Sequence, residues 1–435
     1  MAFIGNNLTI SQYAPQIAYF SGNASTTAFT LPQAVVSAAQ ILVVVANVPQ
    51  NPSSAYTVSG TTLTFTSAPP TGTNNVWVEY TSLQTNTIAP SAGTVQTSSF
   101  GSVTSIPFTG YNSIGTGNSS AMKNRIINGA MVIDQRNAGA SVTPTVDGQY
   151  TLDRWCARLS VTSKFSVQQL STSPPVGFNN YLGVTSLSAY SISALDYFFL
   201  FQKIEGFNFA DCGWGTTNAK TVTLSFQVYS SLTGTFGGSI QNSAQNRAYP
   251  FTFTVSSANT WTSVSIAVAG DTSGTWVGAT NGTGVIINFG LGVGTTYSGT
   301  ANSWQAGQYI SATGATSVVG TSGATFYITG VQLEVGLNAT GFEYRQYGTE
   351  LALCQRYYST GTSYLQTSGT APNGSNFYSS SLKATMRTAP TGVVASTIAG
   401  TSLSIHNTTV DQITLSGVPD AGGRVAGTWT ASAEL

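Results

Sequence analysis

Ionised side chains are what this chain most lacks. Of 435 residues, Lys and Arg number 14, as do Asp and Glu, so 6% are charged and the net charge is zero. Ordinary soluble proteins carry about 25%. Nothing in such a balance draws in a phosphate backbone, which argues against nucleic acid as a partner. A single histidine, His406, leaves no basis for a histidine-rich metal site. A Ser-His-Asp triad would have to use it, yet the stretch around it has no nucleophile-elbow glycines. It reads as a lone surface residue. Cys156, Cys212 and Cys354 are odd in number and far apart, with no CxxC pair. That excludes a disulfide framework and a zinc site, and predicts small buried thiols. No cofactor is implied: there is no Walker motif, and Gly213–Gly215 and Gly234–Gly238 read as loops with no helix behind them. No apolar run is long enough to span a bilayer, and no basic segment followed by an apolar one opens the chain. Membrane insertion and export are therefore not expected.

What the chain has is Thr, Val, Ile, Tyr and Phe, with 46 glycines and 41% hydrophobic residues. That favours strands over helices and excludes the low-hydrophobicity signature of disorder. The expected fold class is all-β. The length suggests roughly two to four domains. The first 122 residues carry one charge, Glu79. Charges then arrive abruptly, at Lys123, Arg125, Asp134, Arg136, Asp147, Asp153 and Arg154. That change marks a domain entrance.

Residues 1–81 show short strand runs separated by turn signals such as Ser59-Gly60 and Pro69-Pro70-Thr71-Gly72, the spacing of a small β sandwich. Residues 82–122 are Ser, Thr, Gly and Asn with scattered Val and Phe, and read as a neck or linker. From 123 to 347, about ten strand candidates imply a jelly-roll sandwich. They include Asn124–Arg136 as the opening strand, Phe165–Leu170, Thr221–Tyr229, Trp261–Val268 and Thr325–Glu334. Within Thr221–Tyr229, Val222, Leu224, Phe226 and Val228 share one face. Thr349–Tyr358, inside a connecting segment 348–361, is the one predicted helix, with Thr349 as N-cap. Residues 362–435 form a small C-terminal β domain.

Two sets of motifs carry a resemblance. The ordered run from Tyr19 through Phe29-Thr30-Leu31-Pro32 to Val76–Tyr80 resembles the N-terminal attachment module of short-tailed phage tail fibres. "NRIINGAMVIDQRNAG" from Asn124, "YTLDRW" from Tyr150, "WTSVSIAVAGDTSGTW" from Trp261 and "YITGVQLEVGLNATGFEYRQYGTELALCQRYY" from Tyr327 together resemble the carbohydrate-binding-like jelly roll of phage receptor-binding proteins. The resemblance implies a structural virion protein, a homotrimeric tail fibre. It would dock on a tail or adaptor protein through residues 1–81, and bind a host glycan or outer-membrane receptor without covalent chemistry. "SLKATMRTAPTGVV" from Ser381 looks like the opening of a tail-fibre tip.

Candidate ligand-binding residues follow from aromatics that could stack on sugar faces. Trp214 and Trp304 lie in Gly-rich loops, and Trp429 and Tyr378 in the C-terminal domain. Trp155, Trp261 and Trp276 sit on or beside strands and read as core. The alternative is a glycan depolymerase using a carboxylate pair. Against it, carboxylates stand beside cations: Asp134 by Arg136, Asp153 by Arg154 and Glu343 by Arg345. These six are expected to be structural ion pairs. A third possibility, the secreted sugar-binding module of an enzyme, fits poorly with the missing leader. No enzymatic activity is expected.

Overall fold

The computed structural model describes residues 17–81, 122–366 and 376–435. The chain divides into two compact units, Met1–Pro107 and Phe108–Leu435. In the first unit β1 (Ile17–Gly22), β2 (Ala28–Val35), β3 (Ile41–Val45), β4 (Val48–Pro49), β5 (Tyr56–Phe65) and β6 (Gly72–Tyr80) form two sheets, β1-β6-β3-β4 and β2-β5. Leu31, Val43, Tyr56, Leu63, Val76 and Val78 fill the space within this unit. Ser59-Gly60 does not end a strand as its turn chemistry suggests. Gly60 takes φ +58° inside a continuous β5.

The second unit opens with an irregular segment, which corrects the expected strand at Asn124–Arg136. Residues 123–140 form no strand, yet Ile126, Asn128, Met131 and Ile133 are all at most 1% exposed. Side-chain amides satisfy this backbone where a strand would use a ladder. Asn124 Oδ1 accepts from the Ile126 and Leu333 amides at 2.9 and 3.0 Å. Gln202 both accepts from and donates to Ile127, and Asn128 spans to both main-chain groups of Ile133.

The strands then run β7 (Gln149–Leu152), β8 (Trp155–Leu159), β9 (Phe165–Leu170), β10 (Tyr181–Ser186), β11 (Tyr197–Glu205), β12 (Val222–Ser230), β13 (Gly234–Asn242), β14 (Arg247–Val255), β15 (Thr262–Val268) and β16 (Thr283–Val293). After them come the short β17 (Ser298–Gly299), β18 (Gln305–Ala306) and β19 (Ser311–Ala312), then the long β20 (Thr325–Val335). Two antiparallel sheets face each other as a jelly-roll sandwich: β15-β12-β20-β10-β9, and β18-β14-β13-β16-β11-β8-β7. The alternation in β12 sends Val222, Leu224, Phe226 and Val228 inward, where Phe226 meets Phe253 and Phe289 edge-on at 5.1 and 5.2 Å. Burying a Phe in such a place is worth about 1.5–3 kcal/mol.

The Gly-rich stretch at Gly234–Gly238 is not a loop but the start of β13, a buried inner strand. A Cβ on Gly238 would lie 2.2 Å from the Asn288 carbonyl and 2.5 Å from the Phe251 ring. Glycine is there because neighbours leave no room for a side chain.

The helix, α1 (Tyr347–Gln355), begins two residues before the expected start, with Gln346 at the N-cap position. It buries Glu350 and Cys354 against the irregular segment, with Ile127, Ile133 and Tyr357 completing a small cluster. The C-terminal strands, β21 (Tyr358–Gln366), β22 (Asn376–Ser381), β23 (Thr391–Ala399), β24 (Thr401–Thr408), β25 (Gln412–Val418) and β26 (Arg424–Ser432), form the sheets β21-β26-β23 and β22-β25-β24. All three cysteines are free and buried, and burial pushes the Cys212 thiol up to about 12. Among the described residues, no helix is long and apolar enough to cross a membrane, and no group of three or more His, Cys, Asp or Glu could hold a metal ion. Residues 82–121, where the neck was expected, lie outside the described residues.

Candidate functional site

The inward turn of Val222, Leu224, Phe226 and Val228 dictates that Ser225, Gln227 and Tyr229 face out from the sandwich. On the edge strand β15, Ser263 and Ser265 face the same way, in register with Gln227 and Ser225. Trp261, just before β15, shares their parity. On β20, a bulge at Gly330 (φ +62°) reverses the alternation, so Tyr327 and Thr329 face out before it and Val331 and Leu333 face in after it.

Four rings therefore gather on this face. Tyr229 and Tyr327 are registered partners whose rings stack 5.0 Å apart at 8°. Trp261 lies 5.5 Å from Tyr229 and 5.3 Å from Tyr181. Polar tips fix the group: Trp261 Nε1 donates to Ser173 O at 3.1 Å, Tyr181 OH to Thr172 O at 2.8 Å and Tyr229 OH to Asn259 Oδ1 at 3.2 Å. Burial raises the Tyr181 phenol above its ordinary value. Trp261, expected in the core, is half-buried on the outer face instead.

Beside these rings runs a groove of about 350 Å³. Its floor is Ser225, Gln227, Ser263 and Ser265, and its walls are Phe178, Phe342 and Thr340. The walls come from two loops folded over β20. Phe178 lies where a Cβ on Gly330 would be, so glycine there gives the ring its seat. Phe178, Phe342 and Tyr344 pack mutually, with centroids 5.1, 5.6 and 5.1 Å apart. No lining residue is ionisable. Ser263 Oγ donates to Gln227 Oε1 at 3.0 Å. Flat apolar walls over uncharged donors and acceptors can bind and orient a neutral polar molecule.

The residues singled out from sequence lie elsewhere, Trp214 and Trp304 together in one cluster and Trp429 and Tyr378 in the C-terminal strands. Trp214 is buried at 6% exposure, edge-on to Phe209, Trp276 and Trp304 at 4.8, 4.8 and 5.2 Å, its Nε1 donating to Lys220 O. Gly213 and Gly215, at φ +63° and +83°, turn that loop back on itself and carry the ring inward. Trp304 is half-buried in the same cluster and donates to Ala269 O at 2.8 Å. Trp429 is 3% exposed, donates to Ser363 Oγ at 2.8 Å, and covers Gly361. Tyr378 is half-buried against the C-terminal core. Trp214 and Trp429 thus serve packing and present no face to solvent.

The expected ion pairs resolve differently. Asp134 accepts from the Asn137 and Gly139 amides, closing a turn, while Asp153 accepts from Gln135 N and Nε2 at 2.6 and 2.7 Å. Arg136 and Arg154 both pair with distant Glu434. The local partners are displaced because a turn between β7 and β8 puts Arg154 at φ +70° and directs its chain beneath Tyr357. Arg345 does pair with Glu343, at 3.6 Å, and also with Glu350 at 3.3 Å.

Glu343 and Glu350 line a second concavity of about 190 Å³ with Asn179, Phe342, Tyr344 and Tyr347. Arg345 stands between the two carboxylates, 3.6 Å from Glu343 and 3.3 Å from Glu350. Asp153, pushed up to about 6 chiefly by burial, is 1% exposed beneath Gln135 and lines none of these cavities.

The chain matches no family model and no curated protein. Among solved structures, it is similar to the enzymatically active domain of tailspike protein 4 of bacteriophage CBA120. The identity is 14% and the TM-score 0.28, over 49% of this chain and 22% of that one. The family 11 carbohydrate-binding module of a cellulosomal cellulase of Clostridium thermocellum gives 13% and 0.24, over 46% of this chain and 99% of that one. A xylanase 10B structure from the same organism, with its carbohydrate-binding module and complexed with xylohexaose, gives 13% and 0.24, over 45% and 28%.

Proposed function

We propose that this chain is a non-catalytic glycan-binding protein whose binding surface is the outer face of the five-stranded sheet. The observation that carries the reading is the uncharged groove of Ser225, Gln227, Ser263 and Ser265 between Phe178, Phe342 and the Tyr229–Tyr327–Trp261 group. Sugars present C–H faces that lie on aromatic rings and hydroxyls that pair with amides and hydroxyls, and pockets of this kind combine apolar walls with a few placed polar groups. Its volume sits near the lower end of the roughly 300–1,000 Å³ of small-ligand sites.

Within that class the protein is a phage tail fibre, a homotrimer in the virion. The ordered motifs from Asn124 to Tyr358 support this, as does a surface too poor in charge to resist association. Residues 1–81 attach to a tail or adaptor protein, 82–122 form a neck, 123–347 the jelly roll, 348–361 the connecting helix and 362–435 the tip. Exposed Tyr364, Phe377, Val393 and Ile398, each at least 54% accessible, give the tip apolar surface for contact with a receptor or another subunit. Weak sites repeated along an assembly gain strength through avidity. A depolymerase is the second reading, favoured only by Glu343 and Glu350 sharing one concavity.

The test is a glycan array probed with the full-length protein, repeated with Gln227→Ala and Tyr327→Ala, alongside chromatography of array-positive glycans after incubation. Retention of intact glycans with binding lost in both variants is expected. Cleaved products would establish the depolymerase instead, and equal binding by both variants would remove the groove.

A further inference from the structure

We infer that the groove continues over an aromatic ridge into the second concavity, so that the ligand is an extended oligosaccharide whose end unit is uncharged and seated beside α1. This rests on the glycan-binding reading of the groove.

Phe342 bounds both spaces, and its neighbours in sequence, Gly341 and Glu343, face one space each. Phe178 lines the groove while Asn179 lines the second concavity. The three rings Phe178, Phe342 and Tyr344 are therefore a divider with a usable surface on both sides. The Tyr344 phenol donates to Gly177 O, which ties the two wall loops together and fixes the height of the ridge. Beyond it, Tyr347 is 64% exposed at the first turn of α1 and stands opposite Tyr344, 53% exposed.

The floor of this space is set by ionised groups that are already engaged. Glu343 accepts from the Asn124 amide at 2.6 Å, and Arg345, 5% exposed, is shared between both carboxylates. Two carboxylates against one guanidinium give the space a net negative charge. A uronic or sialic acid would be repelled there, while a neutral sugar meets acceptors for its hydroxyls, the exposed Asn179 amide and the Phe342, Tyr344 and Tyr347 rings. The volume suits one sugar ring. A single unit held there, joined to a chain in the groove, would make affinity depend on chain length in a way the groove alone does not.

The test uses the full-length protein and size-fractionated neutral oligosaccharides, disaccharide upward, from the polymer giving the best array signal. Titration calorimetry is run on wild type and on Tyr347→Ala, which removes a ring 64% exposed, and on Gln227→Ala. An unchanged melting midpoint shows that Tyr347→Ala folds. The expected result is that Tyr347→Ala weakens the longest oligosaccharides by roughly tenfold and leaves the disaccharide unaffected, whereas Gln227→Ala weakens every length. A uronic acid at the chain end should abolish the length advantage. If Tyr347→Ala binds all lengths like wild type, the extension is wrong and the groove stands. If wild type binds no oligosaccharide of any length, the groove reading fails and the extension with it.

Discussion

Replacing Glu434 by Gln tests how the second unit is held together. Glu434 is 7% exposed and takes both Arg136, at 2.7 Å, and Arg154. Arg154 is 1% exposed, and its guanidinium lies 3.6 Å from the Tyr357 ring centroid. It also donates to the Lys203 carbonyl. The neighbouring Glu434 raises the Arg154 pKa against burial, the largest influence, which lowers it. The glutamine keeps shape and one acceptor but removes the carboxylate that faces the buried Arg154. Breaking a buried pair by removing one partner costs about 3–5 kcal/mol. Arg136 already lies over the Tyr358 ring, 3.8 Å from its centroid, and keeps that contact, so most of the loss falls on Arg154. In a domain of this size that lowers the melting midpoint by roughly 10 °C. Urea melts of both proteins at neutral pH would measure it. A change under about 1 kcal/mol, the range of an exposed pair, would refute the claim that this carboxylate compensates a buried charge. So would a Glu434→Gln/Arg154→Met double variant as unstable as Glu434→Gln alone, since removing the cation as well should recover much of the loss.

Two further outcomes follow from burial. Asp153, pushed up to about 6 from the ordinary 3.8, binds its proton more tightly folded than unfolded. Its contribution therefore favours the fold below about pH 4 and is lost as pH rises through 6, a swing of about 3 kcal/mol, so an Asp153→Asn minus wild-type difference in melting midpoint should grow from pH 4 to pH 7. A flat difference would mean the carboxyl is ionised throughout. Gly238→Ala places a methyl 2.2 Å from the Asn288 carbonyl and should cost more than about 3 kcal/mol or yield insoluble protein. Gly278→Ala, with nothing within 4 Å, should melt like wild type, and similar melts for the two would remove the packing account of β13.

Most of the sandwich was readable because period-two runs report burial directly. Thr221–Tyr229 and Phe165–Leu170 alternate, and they are strands with Val222, Leu224, Phe226, Phe165 and Val167 inside. Two stretches misled for opposite reasons. Ile126–Gln135 has the apolar content of a strand, but its backbone is paired by Asn124, Asn128 and Gln202, whose partners lie up to 209 residues away. Gly234–Gly238 lacks strand propensity, but Asn288 and Phe251 occupy the space where side chains would be, which no local pattern reveals. The expected Asp134–Arg136 and Asp153–Arg154 pairs failed in the same manner, since Arg154 and Glu434 stand 280 positions apart, whereas Glu343 and Arg345, two positions apart, pair as expected.

The groove was half legible. Once Val222 to Val228 are assigned inward, Ser225, Gln227 and Tyr229 must face out, and that parity was a usable signal for the floor. Ranking tryptophans by loop context pointed away from it, because glycines that free a loop also let it fold inward, as at Trp214. The walls needed Phe178 and Phe342, which come from loops some 160 residues apart and meet only over Gly330. The scarcity of charge gains a structural meaning here. In the second unit Glu205, Glu334, Glu350 and Glu434 are all at least 91% buried or side-chain buried and each meets a cation. Charge that is spent inside fastening β strands to the irregular segment and α1 is charge absent from the sheet face. A face of Ser, Gln and aromatic rings holds its water less tightly than a charged face would, which suits it to the neutral ligand proposed above.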